Sequence, residues 1–308
     1  MFVFRRALEL QQEDGFTGVK AGIQRWWYYR FHRHSKTARS IWLRVRHGSK
    51  IQKNIHGSTL QLDLDAPGIH TDLAVYGTRE PEAITYYEQR LQEIAASHGD
   101  VLVLDIGSNI GHYALLAANQ LPDGHIVAIE PDPRNIDYLE TNVELNDYEN
   151  IETRHFAVGD TSGEVQFHIA AEANLNHVAI VDAGIESIDQ ILVDLTTVDS
   201  LLEEFDPDTD TTIILRTDVE GYESSIIDGA TKLLNSDRRL FLFIEIHEPF
   251  IDDEIYKEML NKLEGAGLKI EMAESSLPHE NPSYFFTWKE YKKISGLSHL
   301  FASRGIDS

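Results

Sequence analysis

Around residues 55–68, Leu60, Leu62 and Leu64 alternate with polar neighbours until Pro67-Gly68 breaks the run, a period of two that predicts an edge strand or hairpin. From Glu80-Pro81 the period lengthens, and Ile84, Tyr87, Leu91 and Ile94 fall on one face of a helix that ends near Gly99. Beyond residue 100, short apolar runs and helical patterns take turns. VLVLDIG (101–107), HIVAIE (125–130), IETRHFAVGD (151–160), TIILRTDVE (212–220) and LFLFIEIHE (240–248) read as five strands. GHYALLAANQ, PRNIDYLETNVELN, residues 197–205, YESSIIDGATKLL and residues 251–263 read as helices. EVQFHIA reads as a hairpin partner of the third strand, DPDTDT as a loop, LKIEMA and YFFTW as two last strands, and residues 171–187 as the longest loop. This alternation implies right-handed crossovers and an α/β fold with a mostly parallel sheet covered by helices on both faces.

The first 56 residues follow another pattern. Val19, Ile23, Trp27 and Phe31 recur every four positions with Arg25, Arg30, Arg33 and Arg39 interleaved, predicting a basic, aromatic, amphipathic helix or two. Twelve Lys or Arg against three acids give this stretch a net charge of +9, whereas residues 57–308 carry −33. Four parts are expected: the basic helical extension 1–56, a hairpin and helix lid 57–98, the main domain 99–295 and a tail 296–308. Tyr76, Glu80 and Tyr87 are candidate lid residues. The extension is suited to docking on the acidic body of its own chain or on a second copy, to an anionic membrane surface, and least to nucleic acid, for which no motif is present. So acidic a body resembles proteins kept hydrated at high salt, and a halophilic, cytoplasmic setting is expected, with peripheral membrane contact through residues 1–56 as a variant. No apolar run reaches membrane-span length, and the basic start lacks a signal peptide's apolar centre. With no Cys, disulfide frameworks, thiolate metal sites and cysteine nucleophiles are excluded.

Asp105-Ile-Gly107-Ser108-Asn109-Ile-Gly111 sits where a buried strand turns into a helix, so its glycines bring backbone and helix start close to a ligand. Glu130 follows nineteen residues after Gly111 at the end of the next strand, where a carboxylate can accept both hydroxyls of a ribose. Together they point to a nucleoside cofactor. The full G-x-G-x-x-G is absent, and Asn109 stands where many such loops have glycine, its amide tolerating a left-handed turn. Asp105 would repel a pyrophosphate and attract an ammonium, which favours a ligand with an amine end.

The blocks VLVLDIGSNIGHYALLAA, IVAIEPDPRNIDYLETNVELN, FAVGDTSGEVQFH, LTTVDSLL, LRTDVEGYESSIIDGA and LFLFIEIHE resemble, in content and order, the FkbM family of class I S-adenosylmethionine-dependent methyltransferases over residues 57–290. The resemblance implies a Rossmann-like seven-stranded sheet of order 3-2-1-4-5-7-6 with the last strand antiparallel, and S-adenosylmethionine at the carboxyl ends of its first strands. It implies that Gly107, Ser108, Asn109 and Gly111 line the methionine part, that Asp105 orders the loop and that Glu130 holds the ribose. Ala157, Val158 and Asp160 fall where the family meets the adenine. The family's Lys-Ile-Asp-Val-Glu-Gly becomes Arg216-Thr217-Asp218-Val219-Glu220-Gly221 here, and a role that needs a titratable amine is closed to an arginine.

Methyl transfer from a sulfonium needs alignment of donor and acceptor and, for a hydroxyl, removal of its proton. Asp218 and Glu220 after the fourth strand, and Glu245 and His247 after the fifth, share spacings of two that put each pair on one side of an extended segment. Asp218, His247 and Glu220 are the candidate catalytic groups, with His247 or Asp218 as general base. Asp218, Glu245 and His247 are alternatively a ligand set for Mg2+ or a similar cation. A third reading has these acids cap helices and pair with Arg216 or Lys232. His112 is a weaker candidate for substrate contact. His32-Arg33-His34 and Asp206, Asp208 and Asp210 lack the partners a metal or calcium loop needs. The expected activity is O-methylation of a sugar or glycan hydroxyl. The alternatives are N-methylation or lipid head-group methylation at a membrane surface, and a non-catalytic scaffold that keeps the fold. A small-molecule or glycan acceptor and a homo-oligomer are the expected partners.

Overall fold

The computed structural model of this chain describes residues 36–66, 68–170, 177–178, 187–275, 283–284, 287–292 and 297–306. The interleaved aromatic and basic positions at 19–33 lie outside the described residues. Those described fall into two compact units, one drawn from residues up to 51 together with 62–77, the other from 52–61 together with 78 onward.

The first unit holds helices α1 (Lys36–His47) and α2 (Ile69–Tyr76). Helix α1 ends in three basic residues, Arg44, Arg46 and His47, which suits the negative end of its dipole. Arg44 pairs with Asp65 at 2.7 Å, and His70 Nδ1 accepts the Asp63 amide at 3.2 Å. The alternation at Leu60, Leu62 and Leu64 produces the expected hairpin of β1 (Lys50–Ile55) and β2 (Ser58–Asp63), with all three leucines buried.

In the second unit, helix α3 (Pro81–Ser97) precedes β3 (Val101–Ile106), α4 (His112–Gln120), β4 (His125–Ile129), α5 (Pro133–Glu144) and β5 (Ile151–Arg154). After a small second sheet come α6 (Val198–Phe205), β10 (Thr212–Thr217), α7 (Glu223–Asp228), α8 (Thr231–Leu234), β11 (Leu240–Glu245), α9 (Asp253–Gly265), β12 (Lys269–Ser275), β13 (Ser283–Tyr284), α10 (Trp288–Tyr291) and β14 (Leu297–Arg304). The main sheet runs β13-β12-β14-β11-β10-β3-β4-β5. Its five strands from β11 to β5 are mutually parallel, and β14 runs antiparallel to both neighbours, β11 and β12. The expected seven strands become eight because β13 adds an edge.

Strands β3, β10 and β11 are buried at all six positions, as continuous apolar runs between two helical layers must be. Their side chains alternate between two cores. Leu102, Leu104, Leu240 and Leu242 meet Val198, Ile226 and Leu260, whereas Val103, Phe241 and Phe243 meet Ile84, Tyr87, Leu116 and Leu139. Tyr87, expected in a lid, is therefore a core residue, 1% exposed among Tyr113, Phe241 and Phe243.

Several expectations are corrected. The run 151–160 is not one strand: Ile151–Arg154 joins the main sheet, while β6 (Ala157–Val158) pairs with β9 (Ser187–Thr196) in a second sheet of order β6-β9-β7-β8. EVQFHIA lies in β7 (Gly163–Ala170), whose antiparallel partners are β9 and β8 (His177–Val178), not the third strand. YESSIIDGATKLL splits into α7 and α8. In YFFTW only Tyr284 is in a described strand, while Thr287 caps a helix that begins at Trp288. The expected tail 296–308 contains β14, with Leu300, Phe301 and Ala302 fully buried between β11 and β12. No helix among the described residues is long and apolar enough to cross a membrane.

Candidate functional site

Register aligns the carboxyl ends of the parallel strands, with Ile106 beside Ile129 and Thr217, and Thr217 beside Ile244. The segments 107–111, 130–132, 218–221 and 246–247 therefore leave one edge of the sheet, the edge at which ligands bind in open α/β folds. Antiparallel β14 begins at that same edge, so His299 lies across from Glu245 on one side and Glu274 on the other.

The loop after β3 has the backbone its glycines predict. Gly107 has φ +79°, and a Cβ there would sit 2.0 Å from the Asp218 carbonyl oxygen. Gly111 has φ +88° with Leu139 Cδ1 2.6 Å from the same construction, and Asn109 takes the left-handed conformation at φ 51°. The Gly107 and Ser108 amides both donate to the Ile129 carbonyl, at 3.0 and 2.9 Å. Asp105 is 1% exposed and fully engaged: Ser108 Oγ lies 2.9 Å from Oδ2, and Arg216 donates to Oδ1 at 3.2 Å. Burial raises its carboxyl, and Arg216 and Ser108 oppose that rise. Asp105 thus orders the loop.

Glu130 turns back on the loop. Its Oε2 accepts the Asn109 amide at 2.8 Å, and Oε1 accepts the Asp132 amide at 2.8 Å. Burial pushes its carboxyl up to about 7 despite these bonds. Asn135 Nδ2 also approaches Oε1, at 3.4 Å, so it is Oε2 that keeps acceptor capacity, and beside it Asn109 Oδ1 is buried with no partner among the described residues. Unfilled acceptors in the loop fit a ligand that brings hydroxyl or ammonium donors, as a ribose and an amino-acid end would. Ala157 and Val158 are buried in the second sheet, and Asp160 is exposed just beyond them.

Arg216 connects this loop to the acids. Its guanidinium is 3% exposed, donates to the Gly107 carbonyl at 3.1 Å and to Asp218 Oδ2 at 2.9 Å, and stacks over the Tyr113 ring at 4.2 Å. Asp105 and Asp218 hold it charged against the cost of burial. A lysine could not make this fork.

Asp218, Glu220 and His247 bring ligand-type atoms within 4.8 Å of one another. His247 Nδ1 lies 2.6 Å from Oε1 of the fully buried Glu223, and Nε2 lies 3.3 Å from Glu220 and 3.6 Å from Glu245. Burial would lower this imidazole, but Glu223, Glu220 and Glu245 outweigh it and push it up to about 10. The carboxylates around it thus favour the protonated imidazole, which weighs for Asp218 over His247 as the general base. Glu220, left-handed at φ 50°, is raised to about 8 by burial, opposed by His247 and reinforced by Asp218 and Glu245. Glu245, expected with Asp218 and His247 in one ligand set, groups instead with Glu80 and His299. Lys232 pairs with Glu203, away from these acids. His112 is 3% exposed with both ring nitrogens unpartnered among the described residues, and burial first of all lowers it to about 3, so it is a neutral buried group.

Sequence reasoning missed Glu223, Tyr113 and His299. Each is brought to the site by tertiary pairing with a distant element, which no local pattern signals.

Residues 105–270, more than half of the chain, match the family model described as the methyltransferase FkbM domain. The chain is 28% identical over 153 residues to the hexuronic acid methyltransferase AglP of Haloferax volcanii, covering 49% of this chain and 58% of that protein. It is 25% identical over 153 residues to Methyltransferase 1 of Beauveria bassiana, covering 44% of this chain and 61% of that protein. The matches thus span about three fifths of these relatives. Among solved structures, the SAM-dependent methyltransferase from Agrobacterium tumefaciens aligns with a TM-score of 0.45 at 12% identity, covering 84% of this chain and 71% of that one.

Proposed function

Because the chain belongs to the FkbM methyltransferase family, we propose that it is an S-adenosylmethionine-dependent O-methyltransferase acting on a hydroxyl of a sugar or glycan. The observation that carries the reading is Arg216, which bonds both the loop at Asp105 and Gly107 and the acid Asp218, fixing the cofactor loop and the acceptor side as one rigid edge. The cofactor supplies an already activated methyl group. Gly107, Ser108, Asn109 and Gly111 line its methionine part, Glu130 accepts its ribose hydroxyls, and Ala157, Val158 and Asp160 border its adenine.

The chain's own groups then align the acceptor and take its proton. Asp218 is the base: its side chain is 24% exposed, the most open carboxylate of the cluster, and Arg216 fixes one of its oxygens. His247, held at Nδ1 by Glu223 and facing Glu220 through Nε2, fixes the position of Glu220 beside the base. A sugar fits this surface because its adjacent hydroxyls can donate to the carboxylates gathered there, and the resemblance to a hexuronic acid methyltransferase supports the class.

The test is calorimetry with S-adenosylmethionine followed by transfer of a labelled methyl group to a panel of uronic acids and neutral glycans. Asp218→Asn is expected to bind the cofactor within about threefold of wild type and to lose at least a hundredfold in kcat, the scale of general-base catalysis. Wild type that binds no cofactor overturns the reading, and so does an Asp218→Asn enzyme with full turnover.

A further inference from the structure

The second acid cluster is not used by that reaction. Glu80 leads into α3, Glu245 ends β11, Glu274 lies near the end of β12 and His299 near the start of β14, four separate elements that converge on one imidazole. His299 Nε2 is 3.6 Å from Glu80 Oε2 and 3.6 Å from Glu245 Oε2, and Nδ1 is 3.3 Å from Glu274 Oε2. The residue is 5% exposed, yet neither ring nitrogen makes a well-formed hydrogen bond among the described residues. Oε2 of Glu245 and Oε2 of Glu274 are likewise buried and without such a partner.

Two features make this a poor resting place for a histidine alone. Three carboxylates face one imidazole, and Arg79 lies 2.7 Å from Glu80 Oε1, so this single imidazole is shared among more acids than it can pair. Spacing is the second feature. A nitrogen 3.6 Å from two carboxylate oxygens is too far for good hydrogen bonds, but donor atoms around an ion with bonds of about 2.1 Å stand roughly 3.0 to 3.5 Å apart.

We propose that Glu80, Glu245 and His299 bind a divalent first-row transition-metal ion. One imidazole nitrogen with two carboxylate oxygens is a donor set for zinc or manganese in preference to magnesium. The ligand atoms lie within 4.8 Å of one another, so they close on the ion through side-chain adjustment. The carboxylates are already oriented, as such ligands require: Tyr113 donates to Glu80 Oε2 at 2.9 Å, Arg79 holds Glu80 Oε1, and Glu245 turns its other oxygen toward His247. The ion would fasten the start of α3 to β11 and β14, beside the acceptor cluster but apart from it.

The experiment uses the full chain, treated with a chelator, loaded with zinc, dialysed and assayed for metal by mass spectrometry. Glu80→Gln and His299→Gln are compared with wild type and with His125→Gln, a half-exposed histidine elsewhere, as control. Wild type and the control are expected to keep one more zinc per chain than either cluster variant, and to show a zinc-dependent rise in Tm that both variants lose. Equal zinc in wild type and His299→Gln overturns the site. Should both variants fail to fold, X-ray absorption of zinc-loaded wild type decides: a nitrogen-and-oxygen shell with a single imidazole supports the site, and wild type that retains no zinc, or holds it by several imidazoles, refutes it. None of these readouts requires methyl transfer, so the site and the proposed activity stand or fall separately.

Discussion

A Cβ at position 107 would meet a carbonyl oxygen at 2.0 Å, and the backbone there is left-handed. Since that carbonyl belongs to Asp218, Gly107→Ala would push the base away from the loop as well as strain the turn. It is expected to cost about 2 kcal/mol or more in denaturant unfolding and to weaken cofactor binding. Glu130 yields a prediction in pH. Its folded carboxyl is raised from 4.5 to about 7 by burial, so the folded state holds the proton more tightly than the unfolded chain. Its contribution to stability is full below pH 4.5, declines as pH rises and is lost above about 7, an effect on the order of 3 kcal/mol. The difference in unfolding free energy between wild type and Glu130→Gln should therefore move against wild type from pH 4.5 to 7 and level off above, and a flat difference would show that the carboxyl is not raised. The loop and Glu130 were legible because strand, glycine and acid follow each other locally. The charge state of His247 was not: it depends on Glu223 and Glu220, which a residue-by-residue reading cannot place on either ring nitrogen.

At the scale of elements, the parallel strands and their helices could be read because each is long and apolar or periodic in its own right. Strands β9 and β14 could not. In β9, Val193 and Leu195 are buried while Leu192 is 60% exposed, so an apolar residue on the wet face hides the alternation. In β14, serine and histidine interrupt the apolar residues. Misreading β14 as a tail removed His299 from view and with it the second cluster. Phe301 measures what β14 contributes: it is fully buried and stacks on Phe243 with ring centroids 4.2 Å apart. Phe301→Ala is expected to cost about 3 to 5 kcal/mol in a denaturant midpoint experiment, and a chain ending at residue 296 should not fold. A loss under 1 kcal/mol for Phe301→Ala would mean that β14 is not the strand that binds β11 to β12.

Over the whole molecule, the formal net charge of −24 sets a repulsion that no single contact offsets. It is distributed, since acids such as Glu140 and Glu144 stand exposed one turn apart on α5, where like charges repel. Screening shortens the reach of each such interaction from about 10 Å at 0.1 M salt to about 3 Å at 1 M. Buried pairs like Arg216 with Asp105 are shielded from salt, so what holds the sheet edge together persists while what loosens the surface is removed. Tm should therefore rise steadily between 0.1 and 1 M KCl. General salting-out of apolar surface would produce a rise as well, and charge has to be separated from it. Replacing Glu140, Glu144 and Glu149, all exposed, by glutamine removes three negative charges without touching either core. If repulsion drives the effect, this variant melts higher than wild type at 0.1 M KCl and the two converge at 1 M. Parallel curves would assign the salt response to apolar burial and leave the acidic surface without a role in stability.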